Sequence, residues 1–480
     1  MKDNVSVRSA VSSRRGRGSY GIIHRLHSVA GVFVAPLLVI SALSGLVYAF
    51  APTLENVVYH DAITASSSEA PQPLEEQVEA ARAVHPDLQL SAVQSFEDPT
   101  QTTRVLFNDP ALENSSYRQA VFVDPGSLEI TGELVQYGSS RALPLRTWIS
   151  EGHRQLWLGE YGRIYSEMAA SWLGILALAG AWVWWVRWRV GKGSATGSRK
   201  GSTAHAKRKK TRSIHSILGV WLLPGFLFLT VTGLTWSSMA GGNIANLRAQ
   251  LDWVQPTPDT SISATTMTAT TSAQDEHAHH HHSGHEESST LAGQDDLTQT
   301  YISQIDTVAT TARGAGMSGI IEIALPAEEG TAWTVTEMRE SRKLTNDAIS
   351  VTGETGEIVD RVHHSDWPLA AKLSAWLIQL HMGTLFGWIN QLVLGGIALG
   401  LLTIIALGYR MWWLRGRNGR PGRLQAAGQW RRTRPAVLAG IIAFLVAYSV
   451  MAPMFGISLV AFLIIDAVIQ ALRRQAQALS

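Results

Sequence analysis

The chain has 480 residues, of which 46% are hydrophobic, and its mean hydropathy is +0.06. This balance excludes both a wholly soluble protein and one that lies entirely within a membrane, so apolar segments must alternate with soluble ones. The formal net charge is +2, and the 40 basic residues behind it are clustered rather than spread evenly. Cysteine is absent, which excludes disulfides, thiolate metal sites, iron–sulfur clusters and covalently attached c-type haem.

Six apolar segments approach the roughly 20 residues that a helix needs to cross a bilayer. They lie near residues 29–50, 168–186, 217–237, 392–413, 436–454 and 455–472. Lysine and arginine are retained on the cytoplasmic side of a membrane. Because the four basic clusters all fit one side, we expect both termini in the cytoplasm, and we attribute the basic loops to topology rather than to nucleic-acid binding.

The sequence contains an internal repeat. The segment from His27 to Leu46 aligns without a gap on the segment from His215 to Leu234, so the offset along the chain is constant. A second alignment, which begins at His153 and His381, holds a constant but larger offset. The repeat predicts a duplicated unit of transmembrane helix, outer domain and transmembrane helix. The larger second offset predicts an insertion in the second outer segment, at 255–294.

Each outer segment has the pattern of a small α+β domain. The first has helical apolar spacing at 74–84, strands at 89–96 and 103–107, and a hairpin at 119–123 and 129–133. The second repeats this order with a helix at 299–311 and strands at 319–325, 331–337, 348–351 and 357–362. Neither contains a GxSxG, HExxH or P-loop motif, which favours binding or spacing over catalysis.

Four histidines occupy matched positions of the repeat. His27 and His215 fall at the cytoplasmic edge of their helices, and His153 and His381 fall at the outer edge. Two imidazoles on facing helices are the usual way to hold a non-covalent haem in a bundle. His24, which lies just before His27, is the competing inner ligand, although Arg212 stands at its matched position.

The residues around the histidines bear on this hypothesis. Gly31 and Gly219 each follow their histidine by one helical turn, so they lie on the same helix face and leave room for a macrocycle. A continuous helix from His153 to Arg187 would be about 50 Å long, which exceeds the thickness of a bilayer. Either the helix breaks near Gly159 or Gly162, or the outer site lies above the membrane surface.

The insertion is rich in histidine and has no apolar period. The histidines of this insertion are candidate ligands for copper, zinc or iron: His277, His279, His280, His281, His282 and His285. The alternative is a solvated low-complexity spacer.

Four segments, taken in order, resemble the PepSY-associated transmembrane family: HRLHSVAG, EGHRQLWLGEYGR, HSILGVW and LIQLHMGTLFGW. The hairpin with the sequence VFVDPGSLEITGEL resembles a PepSY domain. The resemblance implies a bacterial inner-membrane protein tied to iron uptake, with some relatives acting as haem-containing reductases of ferric siderophores. On this resemblance His27 and His215 would hold one haem b, and His153 and His381 a second.

The expected fold is therefore a membrane α-helical bundle of about six helices from a duplicated unit, with two small α+β PepSY-like extracytoplasmic domains. The expected segments are a basic tail (1–20), TM1 (21–52), outer domain 1 (53–152), pre-helix and TM2 (153–190), a basic loop (191–212), TM3 (213–240), outer domain 2 (241–372), pre-helix and TM4 (373–415), a basic loop (416–435), a TM5–TM6 hairpin (436–472) and a cytoplasmic tail (473–480).

The leading functional hypothesis is a membrane oxidoreductase that reduces an extracytoplasmic ferric chelate through haem. The inner loops are too short for a flavin domain, so a quinol or a separate cytoplasmic reductase would supply electrons. The alternatives are a PepSY-type binding or regulatory membrane protein, and a copper- or zinc-handling membrane protein that uses the His-rich loop.

Overall fold

The computed structural model describes residues 3–191, 203–262, 291–328, 330–416, 422 and 433–478. The chain divides into two compact units. The helical unit comprises residues 1–47, 151–247 and 392–480, and the sheet unit comprises residues 48–150 and 248–391.

The helices are α1 (Asp3–Ala49), α2 (Ala51–Val58), α3 (His60–Ile63), α4 (Leu74–Val84), α5 (Pro144–Gln155), α6 (Glu160–Gly191), α7 (Thr203–Trp221), α8 (Leu223–Thr235), α9 (Met239–Gln250), α10 (Leu291–Gly314), α11 (Leu369–Met382), α12 (Trp388–Trp413), α13 (Pro435–Met451) and α14 (Pro453–Ala478). The strands are β1 (Gln89–Ser95), β2 (Thr103–Asn108), β3 (Tyr117–Val123), β4 (Ile130–Tyr137), β5 (Ile321–Ala324), β6 (Trp333–Glu337), β7 (Ala348–Val351) and β8 (Ile358–Val362). The helix predicted at 74–84 is α4, and the eight predicted strands are all present.

The protein is a multi-pass helical membrane protein. In the described part of the chain, four helices are long and apolar enough to cross a bilayer: Tyr20–Ala49, Glu160–Arg189, Trp388–Trp413 and Pro453–Leu472. The bent pair Ala206–Trp221 and Leu223–Thr235 makes a fifth if it forms one span. The remaining predicted segment, 436–454, corresponds to α13, which has only 17 residues because Pro453 begins the next helix directly after it.

A proline at the same repeat position has different effects in the two copies. Pro36 lies within α1, which continues unbroken through it. Pro224 lies at the start of α8, after a 55° bend that separates α8 from α7. Proline removes a backbone hydrogen bond inside a helix such as α1 but not in the first turn of one such as α8, and nothing in the structure explains why only the second copy bends.

The helix that follows each outer histidine is interrupted, and a break near Gly159 or Gly162 is one of the two alternatives that the helix length predicted. Between α5 and α6, residues Leu156, Trp157 and Gly159 have positive φ angles of 51°, 54° and 57°. Between α11 and α12, Gly383 and Gly387 have φ angles of 77° and 58°. Left-handed residues end a helix, so the histidine-bearing helices are short pieces distinct from the membrane-spanning ones.

The strands form one eight-stranded antiparallel sheet, in the order β4-β3-β2-β1-β5-β6-β7-β8. This differs from the two separate modules that the sequence predicted, because β1 pairs with β5 and joins the halves. In that pair Val93 lies opposite Ile323, and both side chains are fully buried. A four-stranded half alone would expose an unpaired strand edge, and the pairing of β1 with β5 covers that edge. Burial of an apolar side chain such as that of Val93 or Ile323 stabilises the fold by about 1.5–3 kcal/mol.

Both halves also share one hydrophobic core. Helices α4 and α10 cover the same face of the sheet, where Val78 and Ile305 are fully buried. The terminal hairpins match in detail: Val123 pairs with Ile130, and Val351 pairs with Ile358, with the register shifting just before each valine. The second hairpin thus repeats the first at the same offset that relates the two outer histidines.

Asp124 fixes the turn of the first hairpin, and its replacement should loosen two chain segments. The side chain is fully buried, and its carboxylate accepts hydrogen bonds from the backbone N–H groups of Ser66, Ser67, Gly126 and Ser127. Burial alone would raise the pKa of Asp124, but these four donors outweigh it and lower the pKa. We expect Asp124→Ala to lower the free energy of unfolding by about 2 to 3 kcal/mol, because it leaves buried N–H groups without an acceptor.

The measurement is hydrogen exchange by mass spectrometry of the purified full chain, with faster exchange expected at residues 64–72 and 124–130. Thr352 occupies the matched turn position, and its hydroxyl lies in an exposed set of hydrogen bonds. Thr352→Ala is therefore the control. Equal effects of the two substitutions would contradict the role assigned to Asp124.

Candidate functional site

His27 and His215 face each other within the helical unit. His27 lies on α1 and His215 on α7, and the centroids of their rings are 6.2 Å apart with the ring planes inclined by 70°. The internal repeat predicted that these two matched histidines would meet. The predicted competitor, His24, instead lies beside Tyr20, with ring centroids 5.4 Å apart, so the geometry favours His27 as the partner of His215.

Each of these histidines is oriented by a backbone carbonyl on another helix. The Nδ1 of His27 lies 3.0 Å from the carbonyl oxygen of Leu176, and the Nδ1 of His215 lies 3.1 Å from that of Ile404. A carbonyl only accepts, so we assign the proton to Nδ1 in both rings. The Nε2 atoms then keep their lone pairs, which is the form of imidazole that binds a metal.

The carbonyls and the adjoining glycines are themselves repeat-matched. Leu176 matches Ile404, and Gly180 matches Gly408 on the same helices, at the offset that relates His153 to His381. A Cβ atom built on Gly180 would lie 2.9 Å from Cε1 of His27, and one on Gly408 would lie 4.0 Å from Cε1 of His215. The glycine at position 180 therefore lets the imidazole of His27 approach α6 closely. The glycine match is visible in the sequence, but only the structure assigns it to the site.

Open space lies beside the two predicted cradle glycines. A Cβ atom at Gly31 or Gly219 would meet no atom within 4 Å. A metal bonded to both Nε2 atoms at about 2.0 Å would hold the two ring centroids about 6 Å apart, which agrees with the observed 6.2 Å. The donor set, the spacing and the open glycines fit a bis-imidazole haem, and the binding of haem stays a prediction.

His153 packs against α1 within the helical unit. Its Nδ1 lies 3.0 Å from the hydroxyl of Ser44, and a Cβ atom at Gly45 would lie 3.0 Å from its Cε1. Burial lowers the pKa of His153 to about 4, so the ring is neutral at physiological pH. His381 lies on α11 in the sheet unit, and its predicted pairing with His153 stays a prediction.

The predicted metal-binding tract, His277, His279, His280, His281, His282 and His285, lies outside the described residues. Among the residues that are described, no group of three or more His, Cys, Asp or Glu side chains is arranged to hold a metal ion.

An ion pair adjoins the inner histidines and was not foreseen from the sequence. Arg25, two positions before His27, lies with its Nη2 2.6 Å from Oδ1 of Asp466 on α14. Gln470 donates to the other oxygen of this carboxylate at 2.6 Å. The α13–α14 hairpin also binds α6, because Trp172 donates to the hydroxyl of Ser458 at 2.8 Å. The α13–α14 hairpin thus contacts both α1, which carries His27, and α6, whose Leu176 carbonyl orients it.

These features define a class: a multi-pass helical membrane protein whose helices carry paired, carbonyl-oriented histidines, joined to a sheet unit outside the apolar segments. The sequence profile of the PepSY-associated TM region matches residues 24–415. The chain therefore belongs to the PepSY-associated transmembrane family. A comparison with curated proteins gives no significant match.

The two matched glycines should respond differently to alanine. At Gly180 the added Cβ would lie 2.9 Å from the ring of His27, so the ring must move, whereas 4.0 Å at Gly408 is ordinary contact. Overpacking costs about 1–3 kcal/mol, and alanine stabilises a helix by up to about 1 kcal/mol relative to glycine. We expect Gly180→Ala to lower the thermal midpoint of the detergent-purified protein and Gly408→Ala to leave it unchanged or raise it. The same midpoint for both variants would show that the close approach of His27 is not a constraint.

Proposed function

We propose that the protein is a bacterial inner-membrane oxidoreductase that carries electrons through haem and reduces a ferric chelate, such as a ferric siderophore, outside the cytoplasm during iron uptake. The observation that carries the proposal is the matched pair of hydrogen bonds from His27 to Leu176 and from His215 to Ile404. Each of these hydrogen bonds uses Nδ1 of its histidine and leaves Nε2 of the same ring available to a metal. Membership of the PepSY-associated transmembrane family agrees with this assignment.

In this proposal His27 and His215 hold an inner haem b, and His153 and His381 hold an outer one. A haem iron bound by two imidazoles changes between ferric and ferrous states and passes one electron at a time. The carbonyls of Leu176 and Ile404 orient the two inner imidazoles, and the apolar helices around them would exclude water. Gly31 and Gly219 leave the space beside the inner pair.

The reaction transfers one electron to each ferric ion of the chelate, and the ferric ion becomes ferrous. Ferrous iron is held less tightly by hard oxygen ligands, so the chelate releases its metal. The electron comes from a membrane quinol or a separate cytoplasmic reductase, because the inner loops of the chain are too short for a flavin domain. The chelate is thus the substrate, and the donor is a separate partner.

We also propose the full six-crossing, duplicated arrangement with both termini in the cytoplasm. The two constant offsets between the repeat-matched segments support the duplication. The 17 residues of α13 give about 25 Å of helix, close to the thickness of the hydrocarbon core. The clusters of lysine and arginine support the orientation.

The haem content tests the proposal. Detergent-purified wild type should contain two b-type haems per chain, measured by a pyridine haemochrome assay and an oxidised-minus-reduced absorption spectrum. We expect His27→Ala and His215→Ala to lose the same haem, and His153→Ala and His381→Ala to lose the other, because each haem needs both axial ligands. His60→Ala is the control, since His60 is largely exposed and belongs to no matched pair.

The two haems should each return to the oxidised state when a ferric chelate is added to the dithionite-reduced protein. A colourless protein would overturn the haem proposal, and copper or zinc binding by that protein would favour metal handling instead. A protein that binds haem but is not oxidised by any ferric chelate would favour a binding or regulatory role for the sheet unit.

The orientation can be tested by cysteine labelling, because the chain has no native cysteine. Glu113 lies in the sheet unit and Lys209 in the first half of α7, and both are exposed. A membrane-impermeant maleimide should label Glu113→Cys in intact spheroplasts, and it should label Lys209→Cys only after the membrane is permeabilised. The reverse pattern would invert the proposed topology.

A further inference from the structure

Three arginines and one glutamate meet in the interior of the sheet unit. Arg104 lies on β2, Arg141 follows β4, Arg146 lies on α5 and Glu55 lies on α2. The exposed fractions of Arg104, Arg146 and Glu55 are only 9%, 6% and 5%, and Arg141 is half-buried. We call these four residues the arginine cluster. Its formal charge is +2, and burying net charge without a counter-ion is costly.

The contacts within the cluster leave most of this charge uncompensated. Glu55 accepts the backbone N–H of Leu143 at 2.7 Å, and its Oε2 lies 3.3 Å from Nε of Arg146. Within the described part of the chain, Arg104 and Arg141 donate only to neutral acceptors, the side chain of Gln136 at 3.0 Å and the carbonyl of Arg339 at 3.3 Å. The Nε of Arg104 is buried and has no hydrogen-bond partner among the same residues.

The nearest further carboxylates are engaged elsewhere. Glu322 lies 3.2 Å from Arg118 and accepts a hydrogen bond from Gln94 at 2.6 Å. Glu340 accepts the backbone N–H of Ile320 at 2.6 Å. These groups attract Arg141 across longer distances without forming a hydrogen bond to it.

The electrostatics of the cluster agree with this charge imbalance. Burial, followed by repulsion from Arg141, lowers the pKa of Arg104 to about 9. Burial, followed by repulsion from Arg146, lowers the pKa of Arg141 to about 10. Burial also raises the pKa of Glu55, which weakens the one negative charge present. An anion placed among the guanidinium groups would raise the pKa of Arg104 and Arg141 back toward the usual range of arginine, because it favours their charged forms.

The cluster also has an accessible side. The guanidinium carbons of Arg104 and Arg141 lie 5.6 and 5.8 Å from the centroid of the same ring, that of Phe96, which is half-buried like Arg141. An aromatic face holds guanidinium groups in place through cation–π attraction. The backbone of Arg141 has a φ of 55°, a conformation that costs energy for a residue with a side chain. The fold therefore presents Arg141 at the rim in spite of its backbone strain.

We propose that Arg104, Arg141 and Arg146 bind an oxyanion, a carboxylate or phosphate group, that enters beside Phe96. Guanidinium groups bind these anions through paired N–H donors, and three of them around one point favour a doubly or triply charged group over chloride. The anion can belong to a small soluble molecule or to a lipid headgroup. The site does not depend on haem, so the test of anion binding is independent of the test of the proposed electron transfer.

Isothermal titration of the full chain in neutral detergent, at fixed ionic strength, tests the site with citrate and with inorganic phosphate. Nanodiscs that contain phosphatidylglycerol, compared with phosphatidylcholine alone, test the lipid headgroup by thermal stabilisation. We expect saturable binding in at least one arm, weakened at least tenfold by Arg141→Gln and less by Arg141→Lys, which keeps the charge but loses the paired donors. Arg141 is the test position because it is half-buried, so its replacement leaves the inner arginines in place.

Arg118→Gln is the matched control, because Arg118 is an arginine of the same sheet that already has a carboxylate partner in Glu322. Binding that survives Arg118→Gln but not Arg141→Gln supports the site, and the arm in which it occurs identifies the source of the anion. Absence of binding in both arms, or equal binding by wild type and Arg141→Gln, overturns the proposal.

Discussion

When a backbone carbonyl of one helix accepts a hydrogen bond from a side chain of another, the bond fixes how the two helices are rotated and how far they are shifted along their axes relative to each other. The bonds from His27 to Leu176 and from His215 to Ile404 do this twice, at positions related by the repeat. They decide which nitrogen of each ring carries the proton and therefore which nitrogen can bind a metal. The need for glycine at position 180 follows from the contact of His27 with this helix.

Charged groups at two places in the chain differ in how their charge is compensated. In the helical unit, Arg25 has a carboxylate partner in Asp466, and each inner imidazole has a carbonyl. In the sheet unit, the arginine cluster has more positive than negative charge. A fully satisfied group stabilises the fold, whereas an unsatisfied one marks a position where something else can bind. The contrast is the reason for proposing a ligand in the sheet unit and none at Asp466.

Local sequence patterns predicted the elements well. The apolar period of 74–84 and the alternation of the strands come from neighbouring residues, and helix length gave a break near Gly159 or Gly162 as one of two alternatives. The repeat predicted that His27 would meet His215. The joining of β1 to β5 could not be predicted, because strands distant in the chain leave no local signal of their pairing. The same holds for Asp466 and for Arg104, Arg141 and Arg146, whose neighbours come from different elements. The carbonyls of Leu176 and Ile404 left no signal in residue type, since every residue has a carbonyl.

The contact between Arg25 and Asp466 also orders events during biosynthesis. The ribosome makes the first helix long before the last one, and 441 positions separate the two residues. Arg25 therefore meets this carboxylate only after both halves of the sheet have been made. The α13–α14 hairpin thus completes the environment of the first histidine helix late in synthesis, when the sheet strands are already available to pair.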